Sequence, residues 1–426
     1  MKRWSRVQVL VTFVILTGCS SSKSILVVPS PSLPTGLPTP AAPGPINTYL
    51  GAQSPGEWTL TLNNTADTYS FQPTTYPASP PAPTAGSLTI SDGFTSLGPS
   101  GYALEIEGRA AVLRPGDVTA PPVFAVPQTE CYPINGRLRF QYIGMQTGPD
   151  NTVGSAGPTF GYGSFVASTD STGQTWQFEN LQGNIVSGPA SFAGTCSTSA
   201  SSATIELSGQ TILNDLWPPN EEVQTSPTSG TLSNLWIGPS GFVAADQSDP
   251  TLSPPTGASI AGVAEPSSSL QMSDIISHAY LGFLYEPATY PYGGSTLTPS
   301  VTSPVAFGRV SYTGTMMIGG DFPNDDVTQT PNSDMVIDLG LQNPTYNGLY
   351  SAVSITVLDP DQNCANYTGS GEVATSGFNL QGYITCTFGG VAVAGNPDGK
   401  YAIFISSYNW AAQLGGAPMQ FYLFQQ

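Results

Sequence analysis

The sequence has little charge and a single histidine. Asp, Glu, Lys and Arg together make up 9% of the 426 residues, and His278 is the one imidazole. Without a second histidine or a Cys-x-x-Cys spacing, the chain lacks the ligand set of a structural zinc site. Without a Gly-x-Ser-x-Gly segment, it lacks the nucleophile motif of the α/β-hydrolases. The sequence therefore predicts no metal and no cofactor, assigns His278 a structural role, and favours a protein that is not an enzyme.

Basic residues are much scarcer than acidic ones. Lys and Arg number ten, and three of them, Lys2, Arg3 and Arg6, stand at the N-terminus. Removal of that segment leaves seven basic and 28 acidic residues, a net charge of −21 with histidine neutral. Because a surface of this sign repels phosphate groups, nucleic acid is not an expected partner. A cation, a basic protein or a neutral glycan fits the charge, and the acidity also fits a role in solubility alone.

The apolar run near the N-terminus is short. Val7 to Thr17 is uncharged and follows the three basic residues. About eleven residues are too few to cross a bilayer as a helix, so the pattern indicates a signal peptide. The run leads into Leu16-Thr17-Gly18-Cys19, which resembles the lipobox of bacterial lipoproteins. The alternatives are an ordinary secretory signal and a short N-terminal anchor.

The lipobox resemblance implies how Cys19 is modified and where in the cell the protein is located. In that family the signal peptide, here residues 1–18, is removed, the cysteine thiol carries a diacylglyceryl group, and the new amine is usually acylated, for example with palmitate. Several acyl chains hold a protein on a lipid bilayer far more firmly than one. Ser20 follows in place of Asp. The family's common sorting rule then implies an outer-membrane lipoprotein, with its body in the periplasm or exposed at the cell surface.

Residues 19–46 form the next predicted segment. Ser, Pro and Thr dominate it, and it shows no apolar periodicity. Such a composition is typical of an extended linker, and the stretch of about 26 residues from Ser20 to Pro45, at about 3.1 Å each, reaches roughly 80 Å. We therefore expect a tether between the lipid and the body.

Proline and glycine are abundant in the body of the chain. The 40 prolines and 47 glycines disfavour long helices. Between them lie short runs of β-branched and aromatic residues with a two-residue alternation, as in Glu57–Leu62. This pattern predicts an all-β fold of antiparallel strands, a sandwich or a barrel, with very little helix. The best helix candidate is Ser268 to Ala279.

A Pro-rich segment from Asp249 to Gly257 divides the body. It separates about 200 from about 170 residues, and each size suits one domain. We therefore predict two β domains, residues 47–248 and 258–426. One turn sequence recurs as Leu97–Ala103 and Ile237–Val243, with looser copies at 376–378 and 398–401. Internal duplication is left open, since glycine turns recur in many β proteins.

Four cysteines remain besides Cys19: Cys131, Cys196, Cys364 and Cys386. An even number in an exported chain predicts disulfides. Three pairings exist, and the separation into two distant pairs favours Cys131 with Cys196 and Cys364 with Cys386. The expected role of both bonds is structural.

Aromatic and acidic segments supply the candidates for ligand contact. Tyr290 and Tyr292 lie in a segment rich in tyrosine and proline and are predicted to stack on a sugar or a peptide. The segments Asp321–Asp326 and Asp359–Asn363 carry the oxygen ligands that calcium prefers. The second segment, however, has Cys364 where the turn glycine of a calcium loop belongs. Both segments are interpreted as solvated turns, and no metal site is predicted.

Glu105 and Glu107 come nearest to a catalytic pair. Residues at i and i+2 of a strand share a face, and a retaining glycosidase requires two carboxyls about 5 Å apart. Four of the basic residues stand nearby in the sequence: Arg109, Arg114, Arg137 and Arg139. The favoured hypothesis is a ladder of ion pairs between these arginines and the two glutamates.

Three functions fit the sequence. The leading hypothesis is a membrane-anchored lipoprotein of the cell envelope, a binding or structural module that presents its loops to an extracellular protein or glycan. The alternatives are a secreted carbohydrate-active hydrolase that uses an Asp/Glu pair, and a subunit of an envelope assembly. Two close carboxylates in a pocket favour the hydrolase, and an exposed apolar patch or an unpaired sheet edge favours the assembly.

Overall fold

The all-β fold class is confirmed, and antiparallel strands build three large sheets. In the strand Glu57–Asn63, Leu60 and Leu62 are buried while Thr59 and Thr61 are half-buried, which is the alternation that the sequence shows. The computed structural model describes residues 37–38, 42–52, 56–75, 83–91, 93–115, 122–147, 159–182, 192–199, 202–208, 211–215, 228–230, 234–249, 256–276, 278–285, 291–292, 295–296, 305–313, 316–319, 335–359, 375–378, 384–407 and 420–425.

The first sheet forms a barrel that closes through a bent segment. Its strands are β1 (Ile46–Ala52), β2 (Glu57–Asn63), β3 (Thr68–Thr75), β4 (Thr84–Ser87), β5 (Thr89–Ser91), β6 (Phe94–Ser96), β7 (Gly101–Ile106), β8 (Ala110–Pro115) and β9 (Val123–Val126). β9 pairs with β1. The two edge strands, β4 and β5, are separated in the chain by Leu88 alone. Segment 84–91 therefore acts as one strand, which pairs with β3 through its first half and with β6 through its second.

The second sheet has ten strands, and eight of them form a closed barrel. Its strands are β10 (Leu138–Thr147), β11 (Thr159–Thr169), β12 (Thr175–Gln182), β13 (Phe192–Ser199), β14 (Ser202–Ser208), β15 (Thr211–Asp215), β16 (Thr228–Gly230), β17 (Asn234–Ile237), β18 (Phe242–Asp249) and β19 (Thr256–Ala264). β10 pairs with both β11 and β19, which closes the ring. β15 and β16 lie outside the ring and extend from β11.

The third sheet closes in the same way. This part of the chain contains β20 (Ala279–Tyr285), β21 (Pro291–Tyr292), β22 (Ser295–Thr296), β23 (Val305–Thr313), β24 (Met316–Gly319), β25 (Met335–Asp338), β26 (Leu349–Asp359), β27 (Thr375–Phe378), β28 (Ile384–Gly395), β29 (Ala402–Ser407) and β30 (Gln420–Gln425), of which all but β21 and β22 belong to the third sheet. β20 pairs with both β23 and β30, and β26 pairs with β28. β27 flanks the ring beside β28, and β21 and β22 pair only with each other.

The three barrels have one strand order. Each strand pairs with the next, and the eighth pairs with the first. We number these strands as positions 1 to 8, so that position 1 is β1, β10 or β20 and position 8 is β9, β19 or β30. Because neighbouring strands are antiparallel, the connections after positions 2, 4 and 6 share one end of each barrel, the turn end. The connections after positions 1, 3, 5 and 7 share the opposite end, the loop end.

Apolar side chains fill the described interior of each barrel. In the first barrel the ring of Trp58 stacks on Phe71 with centroids 4.0 Å apart. In the second, Trp176 and Phe178 stack in a cluster of buried aromatic residues. Tyr280 and Tyr350 are the largest fully buried side chains of the third. Each barrel therefore has its own hydrophobic core.

A further apolar cluster joins the outer faces of the three barrels, and we call it the shared core. Positions 1, 7 and 8 of every barrel contribute to it, so these strands are buried on both faces and appear as apolar runs rather than alternating ones. The members at these positions are Leu50, Ala52, Ala110, Val112, Phe124 and Val126 from the first barrel, Ile143, Met145, Phe242, Ala244, Ala261 and Val263 from the second, and Leu281, Phe283, Tyr285, Ala402, Phe404, Tyr422 and Phe424 from the third.

Position 1 carries a sequence that occurs once in each barrel: Tyr49-Leu50-Gly51, Tyr142-Ile143-Gly144 and Tyr280-Leu281-Gly282. The tyrosine enters the barrel interior and the next residue enters the shared core. At Gly282 a Cβ atom would lie 2.6 Å from the carbonyl oxygen of Tyr422, so glycine permits position 8 to pass close by. The Gly-Pro-Ser-Gly turn, in contrast, follows position 5 in the first barrel and position 6 in the second.

The predicted boundary between two β domains does not coincide with a boundary between barrels. The Pro-rich segment Asp249–Gly257 joins β18 to β19, and Ser248 pairs with Gly257. The predicted boundary therefore falls inside the second barrel. Within the predicted tether, Leu37 packs against the interior of the second barrel, and β1 already begins at Ile46.

The described helices are short. α1 spans Met272–Ile275, inside the predicted segment, where Ile275 is buried in the core of the third barrel. In the part of the chain that the structure describes, no helix has the length and apolar character needed to cross a membrane.

Candidate functional site

A carboxyl group lies at the turn end of the first barrel's interior. Glu105 alternates on β7 with Leu104 and Ile106, which face the shared core, so its side chain enters the barrel. The last interior residue before the equivalent turn is apolar in the other two barrels, Ile237 in the second and Ala394 in the third. The first barrel therefore carries an ionisable side chain at this position, and the other two barrels carry aliphatic ones.

Three side chains hold the Glu105 carboxyl. The Tyr49 hydroxyl donates a hydrogen bond to Oε1, Nδ2 of Asn47 donates to the same oxygen at 3.1 Å, and the side chain of Asn64 adds another bond. The Tyr49 oxygen in turn accepts a hydrogen bond from the backbone N–H of Gly108 at 2.9 Å. One polar network thus joins β1, β7 and the turn after position 6.

The environment of this network shifts two pKa values. Burial raises the pKa of Glu105, and the hydrogen bonds from Tyr49, Asn64 and Asn47 oppose that rise. Burial also raises the pKa of Tyr49 well above its ordinary value, and the nearby charge of Glu105 adds to the effect. Tyr49 therefore stays a hydrogen-bond donor, while Glu105 keeps its proton to a higher pH than an exposed glutamate does. The site carries a titratable carboxyl group where the second and third barrels have the aliphatic side chains of Ile237 and Ala394.

Glu105 and Glu107 occupy different environments. β7 ends at Ile106, so Glu107 lies in the turn and is exposed, whereas Glu105 lies in the packed interior. A retaining glycosidase needs its two carboxyls on either side of a substrate cleft. The described geometry therefore does not support glycoside hydrolysis by these two residues.

The described ion pairs differ from the predicted ladder. Three arginines pair with acids outside Glu105 and Glu107: Arg137 with Glu179, Arg139 with Glu265 at 3.4 Å and Arg109 with Asp398 at 2.7 Å. The Arg139 guanidinium also lies 4.9 Å from the ring centre of Tyr346, which belongs to the third barrel. The side chain of Arg114 lies outside the described residues. Arg109 and Arg139 thus make contacts between barrels rather than along one sheet.

His278 has a structural environment. Nε2 of Gln425 donates a hydrogen bond to His278 Nδ1 at 3.0 Å, and the ring of Tyr401 lies 5.5 Å away. These contacts hold the start of β20 against the last strand of the same barrel.

The predicted ligand contacts fall mostly on residues that the structure does not describe. Tyr290 is among them, as are residues 321–326 and 360–363. Tyr292 belongs to β21, which pairs with β22 as a two-stranded ribbon, and its side chain is outside the described part. Contact of Tyr290 and Tyr292 with a sugar or a peptide stays a prediction.

Cys131 and Cys196 form a disulfide, and this is one of the two pairs that the sequence favours. Cys131 precedes β10 and Cys196 lies in β13, so the bond ties the entrance of the second barrel to its fourth strand. Cys364 lies outside the described residues, and for Cys386 only the backbone within β28 is described. That pairing stays a prediction, as does lipidation of Cys19, which also lies outside the described residues.

Neither a metal cluster nor a relative points to a reaction. Among the described residues, no three His, Cys, Asp or Glu side chains are grouped so that they could hold a metal ion. Comparison with known proteins finds no matching family model, no matching curated protein and no matching solved structure.

Replacement of Glu105 by glutamine tests the electrostatics of the network. Because the folded-state pKa of Glu105 lies above its unfolded value, the stability that this carboxyl contributes is present below the unfolded pKa and is lost as the pH rises through the folded pKa. We expect Glu105→Gln to raise the thermal midpoint by roughly 1–3 °C at neutral pH, with the gain shrinking in acid.

The measurement is a series of melting curves from acidic to slightly alkaline pH, with Glu107→Gln as the matched control. Glu107 is exposed in the adjoining turn, so its variant should follow the parent closely. A gain for Glu105→Gln that is independent of pH would contradict the buried-carboxyl interpretation.

Proposed function

We propose that the protein is an exported lipoprotein, held in the outer membrane by lipid on Cys19, and that its three-barrel body is a binding or structural module of the cell envelope. The observation that carries this proposal is the resemblance of residues 16–19 to a lipobox, in a position that follows a basic and then an apolar segment. The lipid supplies the anchor, and the body supplies a surface.

The packed barrels support binding by surface rather than by cavity. Aromatic and aliphatic side chains fill the described interiors, so the surface that remains for a partner is the outer surface and the connections between strands. With the signal segment removed the chain carries a net charge of −21, which favours a basic protein or a neutral glycan as the partner and disfavours nucleic acid.

Cys19→Ala tests the anchor. We expect the full-length parent, expressed in a bacterial host with lipoprotein processing, to incorporate labelled palmitate and to partition into the detergent phase of a Triton X-114 extraction. Without the cysteine thiol no diacylglyceryl group can be attached, so Cys19→Ala should lose the label and move to the aqueous phase.

Ser20→Ala is the matched control, since it alters the neighbouring residue and leaves the acceptor thiol in place. Retention of label and membrane association by Cys19→Ala would refute the proposal. Treatment of intact cells with an external protease then assigns the side: digestion of the body indicates the cell surface, and protection indicates the periplasm.

A further inference from the structure

The sequence contains two Asn-Gly pairs, Asn135-Gly136 and Asn347-Gly348. Such a pair can react with itself, because glycine has no side chain that keeps its backbone nitrogen away from the asparagine amide. In a folded chain the reaction proceeds only where that nitrogen and that amide are free to meet. Both pairs lie within the described residues, and their environments are opposite.

Asn135-Gly136 lies in the connection between the first and second barrels, and both residues are exposed. Gly136 has φ +87°, and a Cβ atom built on it would meet nothing within 4 Å. Among the described residues, no hydrogen bond involves the Asn135 side chain or the Gly136 N–H. The backbone nitrogen and the amide are therefore open to solvent and to each other.

Asn347-Gly348 is held at both reacting groups. The N–H of Gly348 donates a hydrogen bond to Oε1 of Gln342 at 2.9 Å. Nδ2 of Asn347 donates to the carbonyl oxygen of Pro266 at 3.0 Å, and Oδ1 accepts from Oγ of Ser269 at 3.3 Å. Gly348 is also buried. The amide carbon cannot reach the Gly348 nitrogen until these hydrogen bonds open together.

The backbone of the second pair is fixed as well. The N–H of Asn347 donates to Oε1 of Glu265 at 2.9 Å, and its carbonyl oxygen accepts from Nε2 of Gln141 at 2.8 Å. The carbonyl oxygen of Gly348 accepts from the N–H of Ala394 at 2.7 Å. A Cβ atom on Gly348 would lie 2.1 Å from the oxygen of Ala394, so glycine is required here for close packing.

From this contrast we infer that Asn135 is a site of spontaneous deamidation and that the fold protects Asn347 from the same reaction. The Gly136 N–H loses its proton to a base in the solvent, and the nitrogen attacks Cγ of Asn135. The new N–Cγ bond forms, the Cγ–Nδ2 bond breaks, and Nδ2 leaves as ammonia with a proton from the solvent. Water then opens the cyclic succinimide at either carbonyl carbon, which leaves aspartate or isoaspartate in place of Asn135.

The product changes the entrance of the second barrel. A new carboxylate appears two residues before Arg137, which pairs with Glu179 on β12. In the isoaspartate form the main chain gains one carbon atom between two fixed points. These points are the Ile134 N–H, which donates to Oγ1 of Thr169 at 2.8 Å, and Leu138, which pairs with β11. The modification therefore acts on the contact between β12 and the chain that leads into the barrel.

Mass spectrometry of the aged protein tests this inference. The full-length chain is kept folded at slightly alkaline pH and physiological temperature, and samples are digested with pepsin in acid at intervals. Conversion replaces an amide NH₂ by OH, so the modified peptide is heavier by about one dalton. Liquid chromatography separates the aspartate form from the isoaspartate form.

We expect the peptide with Asn135 to convert at least about ten times faster than the peptide with Asn347, since two hydrogen bonds must open before Asn347 reacts. In urea, where both pairs are unfolded, the two rates should converge. Equal rates in the folded chain, or an Asn135 that stays intact in the folded chain and converts in urea, would overturn the inference.

Gln342→Ala tests the protection at Asn347. It removes the acceptor of the Gly348 N–H and leaves the Asn-Gly sequence unchanged, so Asn347 should convert several-fold faster while Asn135 keeps its rate. Gln342→Glu keeps an acceptor oxygen and is the matched control, which should behave like the parent. Circular dichroism verifies that both variants are folded, and the comparison within the parent chain does not depend on either of them.

Discussion

Phe124→Ala is expected to lower the free energy of unfolding by about 3–5 kcal/mol, because it empties the centre of the shared core. Phe124 is 2% exposed. Its ring lies 6.1 Å from that of Phe242 in the second barrel, and 5.1 Å and 6.5 Å from those of Phe404 and Phe424 in the third. One side chain thus contacts all three barrels, and the cavity that replaces it cannot be filled by a shift of one barrel alone.

Urea unfolding followed by tryptophan fluorescence and by near-ultraviolet circular dichroism measures this loss. Ile90→Ala is the control, since Ile90 is 65% exposed on β5 and its truncation should change the stability by less than about 0.5 kcal/mol. Phe71→Ala, inside the first barrel, should destabilise that barrel and leave the contacts between the three barrels intact. A loss for Phe124→Ala that is as small as the loss for Ile90→Ala would show that the barrels do not depend on their common contact.

Removal of the Cys131–Cys196 disulfide has the second-largest expected effect. The bond closes a loop of 65 residues, and the loss of that constraint on the unfolded chain corresponds to about 4 kcal/mol in the chain-entropy account. The double variant Cys131→Ala, Cys196→Ala should therefore unfold at a clearly lower urea concentration than the oxidised parent.

Reduction provides an independent comparison. The parent and the double variant, both in excess dithiothreitol, lack this bond and retain Cys364 and Cys386 as thiols, so their difference isolates the effect of the two substitutions apart from the bond. The two should unfold at nearly the same urea concentration. A double variant as stable as the oxidised parent would mean that the native contacts around Cys196, which is 6% exposed, already hold this part of the barrel.

The strands were predictable, but their closure into rings was not. Alternation within single segments, as in Glu57–Leu62, identifies a strand with one buried face. The pairing of β1 with β9, of Leu50 with Val126 for instance, joins residues far apart in the chain and has no local signal. For the same reason the Pro-rich segment at Asp249 was interpreted as a domain boundary, although it connects two strands of one barrel.

The shared core did leave a trace in the sequence. Strands with two buried faces lose their alternation, and every residue of β29 (Ala402–Ser407) and nearly every residue of β30 (Gln420–Gln425) is buried. The Tyr-(Leu/Ile)-Gly sequence of position 1 is a second trace, and it marks the equivalent strand three times. The repeated Gly-Pro-Ser-Gly turn is a longer sequence, but its two copies follow different positions of their barrels. It therefore does not mark equivalent strands.

The site was predictable only in part. Glu105 was identified from its spacing to Glu107, but its partners Asn47 and Tyr49 come from a strand almost sixty residues earlier. The pairing of Arg109 with Asp398 spans 289 residues and depends on the meeting of two barrels. Such contacts follow from tertiary packing, which a single sequence does not display.

Ring closure also sets an order of assembly for a chain that is synthesised from its N-terminus. Once Val126 has emerged, all strands of the first barrel are present, and β9 can pair with β1 to close the ring. The aromatic rings that cover its flank, those of Tyr422 and Phe424, belong to the last strand and emerge some 300 residues later. Until then the closed barrel leaves part of this apolar side, including Phe124, without its final cover.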